Sequence, residues 1–180
     1  MEIAIRLIEE SDYEQAYAFQ CEYLDRETYE DFMRRVKSEP DLYFVTADGR
    51  DVVGVCYGSP SKKDEAVMNV NGIAVNLDVT KPYARVGLGT NMLLVFEKAA
   101  KQKGYKTLGV GSADDPKVEA FYLKNGYQPT ELVVIGADHE QWERVRVDDY
   151  ESGRLRREEL RRSYNPKEVI FILAKALQET

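Results

Sequence analysis

The feature that most constrains this 180-residue chain is the alternation of strand-like and helix-like segments in its middle. Three runs rich in apolar and β-branched residues are separated by two helical patterns; the runs are 67–75, 107–111 and 132–135, and the helical patterns are 87–103 and 115–126. Pro116 directly after Asp115 is typical of a helix start, and Gly104 is placed to end the first helix. This β–α–β–α–β order predicts an α+β fold in which helices cover a sheet.

The flanking segments add further elements. We expect strands at 3–8, 42–46, 52–57 and 169–173, with a hairpin turn at 47–50. A helix is expected at 12–24, with Ser11 as its N-cap and Glu14 completing a capping box. A second helix is expected at 26–37 and ends before Pro40.

Residues 138–167 form a polar, highly charged insertion before the last strand, with a helix expected at 153–163. That helix carries five arginines: Arg154, Arg156, Arg157, Arg161 and Arg162. Arginines can bind RNA phosphates, but no aromatic residues that could stack on bases are interleaved with them. We therefore interpret the segment as a surface or dimer-contact helix and expect no nucleic-acid partner. With no internal repeat and no linker, the chain is expected to form a single domain over residues 1–180.

Cysteine and histidine are too scarce for several kinds of site. The chain has two cysteines, Cys21 and Cys56, and one histidine, His139. Because a structural zinc site needs four such ligands and a nucleophilic triad needs a well-placed histidine, we expect neither a metal nor a triad. Two isolated cysteines favour a reducing compartment. The first residues lack a signal-peptide pattern and no apolar run approaches the roughly 20 residues of a membrane span, so we expect a cytoplasmic protein.

The formal net charge of −7 is divided unevenly along the chain. Residues 1–80 carry a net charge of −9, residues 81–137 a net charge of +3, and residues 138–180 a net charge of −1. This division fits two ligand surfaces of opposite sign. It also fits helices whose solvated faces simply differ in charge.

Two glycines, Gly87 and Gly89, stand where the strand at 67–75 leads into the helix at 87–103. Glycines there let the backbone approach a ligand closely, and a helix N-terminus offers free N–H groups with about half a positive charge. The pattern favours a bound phosphate or pyrophosphate, although a tight turn that packs the helix on the sheet explains it as well. It is not the dinucleotide fingerprint, whose third glycine would fall at Met92, and it lacks the lysine of a P-loop.

A second motif follows on the helix after the next strand: Phe121-Tyr122-Leu123-Lys124-Asn125-Gly126-Tyr127. With Gly87-Leu88-Gly89-Thr90, it resembles the two signatures of the GNAT superfamily of N-acetyltransferases, Arg/Gln-x-x-Gly-x-Gly/Ala and an Ala-x-x-Tyr-x-Lys-x-Gly-Phe-like helix end. The resemblance covers residues 2–135 and 168–177. It implies a central mixed, mostly antiparallel twisted sheet of about seven strands with flanking helices, in which strands 4 and 5 splay apart for the cofactor.

The resemblance also implies an acetyl-CoA-dependent N-acyltransferase. The amides from Val86 to Thr90 would hold the pyrophosphate with Arg85 nearby, and the strand backbone would pair with the pantetheine arm. The implied cofactor-binding residues are Ile73, Ala74, Val75, Arg85, Val86, Gly87, Leu88, Gly89, Thr90, Asp115 and Lys124. Tyr122 would protonate the leaving thiolate, because a phenol with an ordinary pKa of about 10 is protonated at neutral pH. A core tyrosine on an aromatic stripe is the other interpretation of Tyr122.

Three departures from the family pattern fall in this region. Ala84 stands at the leading Arg/Gln position, the loop 76–83 is longer than usual, and Asn69 and Asn71 occupy the strand where many members place a catalytic glutamate. An amide accepts no proton, but Asn69 could position a water that does. The candidates for a general base are acidic loop residues: Glu65, Asp64 and Asp78. We expect direct attack on the thioester, with the oxyanion held by strand N–H groups such as that of Val75.

The expected acceptor is a primary amine of a small molecule or a peptide, which the family binds against the first two helices. These helices carry carboxylates and aromatic rings, which suit a cation: Glu22, Asp25, Glu27, Glu30, Asp31, Tyr23, Tyr29 and Phe32. Tyr23, Tyr29 and Glu30 are the substrate-binding candidates, and a solvated acidic face explains the same residues. An alternative function is an acyl-CoA-binding sensor or scaffold without turnover, which the missing mid-strand carboxylate favours. The sequence leaves the oligomeric state open, with a homodimer as one alternative because dimers are common among proteins that it resembles.

Overall fold

A computed structural model describes residues 2–76, 78, 83 and 87–178. The chain forms two compact units, residues 1–106 and residues 107–180. Within each unit, neighbouring strands pair antiparallel.

The first unit holds four strands in the order β1-β2-β3-β4. The strands are β1 (Ile3–Leu7), β2 (Tyr43–Asp48), β3 (Asp51–Pro60) and β4 (Val67–Val75), and the helices are α1 (Tyr13–Tyr23), α2 (Tyr29–Ser38) and α3 (Leu88–Gln102). Short 3-10 turns at Glu10–Asp12 and Pro40–Leu42 join these elements.

Consecutive residues of β2 contact different helices, which shows which helix covers each face of this sheet. Val45 lies in one core cluster with Phe32 and Val36 of α2. Its neighbour Phe44 points the other way, and its ring contacts that of Phe96 on α3 with centroids 6.2 Å apart. Because side chains along a strand point to opposite faces in turn, α2 and α3 cover opposite faces.

The second unit holds four strands in the order β5-β8-β6-β7. Its elements are β5 (Thr107–Gly111), α4 (Pro116–Lys124), β6 (Gln128–Ile135), β7 (Gln141–Arg146), α5 (Tyr150–Tyr164) and β8 (Glu168–Ala176). Helix α5 packs on β6 and β8, and Leu132, Leu160 and Phe171 are fully or almost fully buried there.

Several local predictions are confirmed. The strand at 67–75 has the predicted bounds, and Gly104 follows α3 with φ at 96°. The Asp115 side chain caps α4 by accepting from the amide of Lys117 at 2.9 Å, and Pro116 is the first residue of that helix.

Two predictions about helix starts in the first unit are wrong. The capping box lies between Glu9 and Asp12 rather than between Ser11 and Glu14, because a 3-10 turn precedes α1. Helix α2 begins at Tyr29 rather than at residue 26, because the Thr28 side chain accepts from the amide of Asp31 and caps the helix there. Both errors reflect a choice among closely spaced polar residues, each of which can act as a cap.

The insertion at 138–167 contains a strand as well as the expected helix, which begins at Tyr150 rather than at 153 because the Asp149 side chain accepts from the amide of Ser152 and caps it there. β7 pairs with β6, where Arg144 donates to both carboxylate oxygens of Glu131 at 2.8 and 3.3 Å. This strand brings the total among the described residues to eight, against the predicted seven or so. Only two residues of its sequence, Gln-Trp-Glu-Arg-Val-Arg, are apolar, so composition does not predict a buried strand there. A strand at the edge of a sheet can be this polar because it is largely exposed to solvent.

Within the described part of the chain, no helix is both long and apolar enough to cross a membrane. The same residues contain no group of three or more His, Cys, Asp and Glu side chains that could hold a metal ion.

Candidate active site

The N-terminus of α3 begins on a glycine in the left-handed region. Gly87 has φ at 79° and ψ at 19°, which an L side chain rarely adopts, and a Cβ built there would meet no atom of a described residue within 4 Å. Its carbonyl accepts the first helical bond, from Asn91 at 3.0 Å. Among the described residues, no side chain caps this end of α3. The amides of Leu88, Gly89 and Thr90 therefore remain suited to an anion.

This helix end packs beside the end of β4. Leu88 belongs to a buried cluster with Val53 and Tyr83, against which Val75 is packed. The predicted pantetheine-binding residues Ile73, Ala74 and Val75 are half-buried and pair with Cys56, Val55 and Gly54 of β3. The structure thus brings together the two described parts of the predicted cofactor site in the first unit. The predicted residues Arg85 and Val86, with Ala84, lie outside the described residues.

A β-bulge interrupts β4 just before these residues. Tyr57 pairs with Gly72 and the next residue, Gly58, pairs with Val70, so Asn71 is the extra residue. Its amide donates to the Ser59 hydroxyl at 2.7 Å. Bulges re-aim the backbone groups that follow them.

The candidate bases precede and follow β4 in the first unit. Glu65 is exposed in the turn between β3 and β4, and the Asp64 carboxylate accepts from the amide of Ala66 at 2.9 Å. That turn precedes the first residue of β4, about 25 Å along the strand from Val75. Asp78 is exposed, and its amide donates to Asn76 Oδ1 at 2.8 Å. Asn69 is half-buried on β4 and pairs with Ser59 across the hairpin.

The second unit presents Tyr122 on α4. Its side chain is 5% exposed and lies between the rings of Phe121 and Tyr127, at centroid distances of 5.3 and 5.7 Å. The helix ends at Lys124, and Gly126, two residues further on, has φ at 91°. Lys124 and Asp115 are both exposed, and the Asp115 carboxylate is engaged as the helix cap.

The predicted acceptor-binding residues lie at the C-terminal end of α1 and at the N-terminal end of α2. Tyr29 is 41% exposed, and its ring meets that of Tyr17 edge-on at 5.1 Å. Tyr23 stacks on Phe19 with centroids 4.4 Å apart, and Glu30 is exposed. Tyr29 and Glu30 thus expose an aromatic ring and a carboxylate to solvent, and both kinds of group attract cations.

The sequence did not reveal a polar network beneath these helices. Arg35 forms an ion pair with Glu27 and donates to Gln20 Oε1 at 3.0 Å, and Gln20 is fully buried. The Tyr43 hydroxyl donates to the same Gln20 oxygen at 3.1 Å. Burial raises the pKa of Tyr43 well above its ordinary value, so the phenol stays protonated. Glu27, predicted as part of an open acidic face, is therefore neutralised locally by Arg35.

This network includes a stacked pair of tyrosines that regular hairpin pairing does not predict. Tyr43 and Tyr57 are direct partners across the predicted hairpin of β2 and β3, with rings stacked at 4.9 Å. The Arg35 guanidinium lies 4.5 Å from the centroid of the Tyr57 ring. Regular pairing outward from Asp48 and Asp51 would place Tyr43 opposite Cys56, and the register shift between Thr46 and Ala47 brings it opposite Tyr57 instead. The tyrosine pair therefore depends on this bulge, and the approach of Arg35 from another element depends on tertiary packing.

Solved structures with the same fold include several N-acetyltransferases. Ard1 from Thermoplasma volcanium is 16% identical, with a TM-score of 0.70, over 99% of this chain and 100% of that chain. The ribosomal-protein-S18-alanine N-acetyltransferase from Escherichia coli is 15% identical, with a TM-score of 0.64, over 99% and 96%. A chain of the NatC complex bound to Gag peptide and CoA is 13% identical, with a TM-score of 0.69, over 99% and 100%. No curated protein matches the sequence significantly.

The fold and the family agree. The structural likenesses confirm the predicted α+β fold. The sequence model of the acetyltransferase (GNAT) family matches residues 4–127, which include both the glycine junction at α3 and the Tyr122 helix. The chain therefore belongs to the GNAT family of acetyltransferases.

Proposed function

We propose that this protein transfers an acetyl group from acetyl-CoA to a primary amine of a small molecule or a peptide. The observation that carries this proposal is the N-terminus of α3, which begins on a left-handed Gly87 beside the end of β4 and is not capped by any described side chain. A helix N-terminus of this kind matches the pyrophosphate of a CoA thioester. Membership of the acetyltransferase family supplies the reaction class.

The residues of the first unit fit a CoA thioester. No described residue fills the space at the Cβ position of Gly87, which suits phosphate oxygens, and the amides of Leu88, Gly89 and Thr90 would donate to them. The backbone of Ile73, Ala74 and Val75 would bind the pantetheine arm, after the bulge at Asn71 has turned that part of β4. Acetyl-CoA, when bound, supplies the activated acetyl group.

We assign Tyr122 as the general acid. The neutral amine nitrogen would attack the thioester carbonyl, the C–S bond would break, and the Tyr122 hydroxyl would donate its proton to the leaving sulfur. The excess proton on the new amide nitrogen would pass through solvent to the phenolate, which restores Tyr122 for the next turnover. The oxyanion would be held by strand N–H groups such as that of Val75. The packing of Tyr122 between Phe121 and Tyr127 supports this role, because a hydroxyl held by two rings has few orientations.

The acceptor must lose a proton before it attacks. A primary amine has an ordinary pKa of about 10.4 and is almost fully protonated at neutral pH. No carboxylate stands at position 69 or 71, so a water held by Asn69 would take the proton, with Glu65 as a more remote candidate. Tyr23, Tyr29 and Glu30 would receive the amine as a cation before it is deprotonated.

Thiol release from acetyl-CoA tests this function. The wild-type protein is assayed with polyamines, aminoglycosides and short peptides as acceptors, and any acceptor that is turned over is assayed again with Tyr122→Phe. Loss of the general acid should lower kcat about 10²-fold. Tyr127→Phe, which removes a neighbouring phenol from the same aromatic cluster, is the matched control and should retain most of the activity.

A second function is favoured by Asn69 and Asn71 on β4. Without a carboxylate there, the domain could bind acyl-CoA as a sensor or scaffold without turning it over. Acetyl-CoA would then stabilise the protein, by about 2.7 kcal/mol at 100 times its Kd, while no amine releases thiol. If acetyl-CoA and CoA both leave the melting temperature unchanged, neither function holds.

We further propose that the protein acts in the cytoplasm as a homodimer formed through the outer face of α5. Leu155 is 72% exposed on that helix, and a second copy of the chain would remove its apolar side chain from water. Leu155→Glu should then convert a dimer to a monomer in sedimentation velocity, and a wild-type monomer would contradict this assembly.

A further inference from the structure

The arginine-rich helix α5 is tied to α4 by buried charges. Arg157 donates to both carboxylate oxygens of Glu119, with Nη1–Oε2 at 2.5 Å and Nη2–Oε1 at 3.2 Å. Glu119 is fully buried and Arg157 is 4% exposed. Burial acts to lower the pKa of Arg157, but the hydrogen bond and charge of Glu119 more than offset it, so the net pKa is raised. The prediction of a surface helix is therefore wrong for Arg157, which is buried in the second unit.

A second ion pair, between Arg161 of α5 and Asp114, lies at the start of α4. Arg161 donates to both oxygens of Asp114 at 2.8 and 2.8 Å, and Asp114 also accepts from the amide of Val169 at 3.0 Å. Asp114 directly precedes the N-cap of α4, and Glu119 follows in its first half. The two arginines, one turn apart on α5, therefore hold α4 at two points along its axis.

The buried ion pair between Arg157 and Glu119 contributes less to stability than its two hydrogen bonds suggest. Buried ions lose their hydration, and pairs of apolar residues in such positions are often equally stable or more so. Within the described residues, the Nε atom of Arg157 has no hydrogen-bond partner, which adds to the cost. What two parallel N–H···O bonds provide, and an apolar contact does not, is a fixed rotation of one helix about its axis relative to the other.

That rotation matters because of what else α4 carries. Tyr122 follows Glu119 by three residues, so the two side chains lie on neighbouring positions of one helix face, and both are buried. A turn of α4 about its axis would move the Glu119 carboxylate and the Tyr122 hydroxyl together. Tyr150 adds a further restraint, because its hydroxyl donates to Glu119 Oε1 at 2.7 Å.

We propose that Arg157 is a positioning residue, which acts through Glu119 to fix the rotation of α4 and so the placement of the Tyr122 hydroxyl. This inference rests on the proposed function, in which Tyr122 is the general acid. It also assigns a role to the insertion at 138–167, which supplies the arginine that fixes the placement of the Tyr122 hydroxyl. Arg161 and Asp114 hold the start of the helix and would contribute less to its rotation at Tyr122.

The test replaces the ion pair by an apolar pair of similar size, Glu119→Leu with Arg157→Met. The melting temperature should stay within a few degrees of wild type, because no charge of the pair is left buried alone. With an amine acceptor, kcat should fall about tenfold while KM for acetyl-CoA changes less than twofold, since a misplaced acid affects the transition state and not cofactor binding. Arg156→Leu with Glu159→Leu removes an exposed pair of the same helix at 2.7 Å and should leave both constants unchanged.

A cycle with Tyr122→Phe separates positioning from a general structural role. If Arg157 acts through the phenol, the apolar pair should lower kcat no further once the hydroxyl is gone. Equal loss of kcat in the two backgrounds would overturn the proposal. If the apolar pair does not fold, Arg157→Lys takes its place, because lysine keeps the charge but cannot form the two parallel bonds. It should show the same loss and the same dependence on Tyr122.

A measurement without turnover keeps this inference distinct from the proposed function. Carbon-13 labelling of the tyrosine Cζ atoms, with Tyr122 assigned through Tyr122→Phe, reports the environment of its hydroxyl directly. The Tyr122 resonance should shift or broaden in the apolar-pair variant and stay unchanged in the Arg156/Glu159 control. If no amine is acetylated but the resonance responds, the acetyltransferase function fails while the coupling of Arg157 to Tyr122 stands. An unchanged resonance overturns the coupling.

Discussion

The ring of Tyr57 lies where a side chain on Gly72 would be. A Cβ built on Gly72 would come within 2.6 Å of Tyr57 Cζ, and the two residues are direct partners on β3 and β4. Tyr57 also stacks on Tyr43 and donates to Asp25 Oδ2 at 3.4 Å. The glycine therefore lets one ring reach from the α1–α2 region across to β4, directly beside the bulge that precedes the proposed pantetheine-binding residues.

Gly72→Ala should consequently destabilise the protein. The new methyl group must displace the Tyr57 ring or the backbone of β4, and overpacking of this kind costs about 1–3 kcal/mol. Such a loss should lower the melting temperature by about 2–4 °C per kcal/mol in a chain of this size. Gly111→Ala, on β5, is the matched control: its Cβ would lie at ordinary contact distances of 3.5 Å from Ile170 and Ile172. Equal melting temperatures for the two variants would contradict the packing described here.

Gly87→Ala should weaken the binding of acetyl-CoA. The left-handed φ of 79° disfavours alanine by about 1–2 kcal/mol, so the start of α3 should shift and its amides should no longer converge on the pyrophosphate. Gly104→Ala provides a matched control at the other end of the same helix, because Gly104 also has a positive φ of 96° and open space at Cβ. Both variants should melt at similarly lowered temperatures. Calorimetric titration should show at least a tenfold weaker Kd for Gly87→Ala alone.

The parts of the fold that could be predicted from the sequence are those that neighbouring residues determine. The bounds of β4, the cap of α4 at Asp115 and the end of α3 at Gly104 follow from local rules about strand composition, capping and positive φ. β7 could not be predicted in this way, because its pairing with β6 and not its own composition makes it a strand. The bulge at Asn71 likewise depends on the register between two strands.

The candidate site divides in the same manner. Tyr122 and the glycines at α3 are contiguous motifs, so the sequence displays them. The pairs formed by Arg157 with Glu119 and by Arg35 with Gln20 join residues 38 and 15 positions apart, and a charged residue alone gives no indication of its partner. Five arginines on one helix read as a solvated face until the structure shows that one of them is buried.

Charge reversal at the junction of α1 and α2 should impair the binding of a cationic acceptor. Glu22 and Glu30 are exposed and, within the described residues, form no ion pair. Glu22→Lys with Glu30→Lys should raise KM for a polyamine or aminoglycoside several-fold at low ionic strength, and the effect should shrink at high salt, because exposed charges are screened over about 10 Å at 0.1 M. Glu10→Lys with Glu14→Lys makes the same charge change at the other end of α1. If both double variants raise KM equally, the effect is one of net charge and the acceptor lies elsewhere.

Asp12 should make the stability of the protein sensitive to acid. Its carboxylate accepts from Arg6 at 2.6 and 3.0 Å and from the amide of Glu9 at 2.8 Å, and the hydrogen bonds from Arg6 hold its pKa below the ordinary value against the opposing effect of burial. Because the folded-state pKa lies below the unfolded value of about 3.9, the contribution is fully present above that pH and is lost as the pH falls through the folded pKa. Asp12→Asn should therefore lower the free energy of unfolding by about 1.5–3 kcal/mol at pH 7, and the difference from wild type should shrink steadily below about pH 4. Urea denaturation between pH 7 and pH 2.5 measures this convergence. Glu159→Gln, at an exposed ion pair with Arg156, should differ from wild type by no more than about 0.5 kcal/mol at any pH, and a constant deficit for Asp12→Asn across the range would show that its role is independent of ionisation.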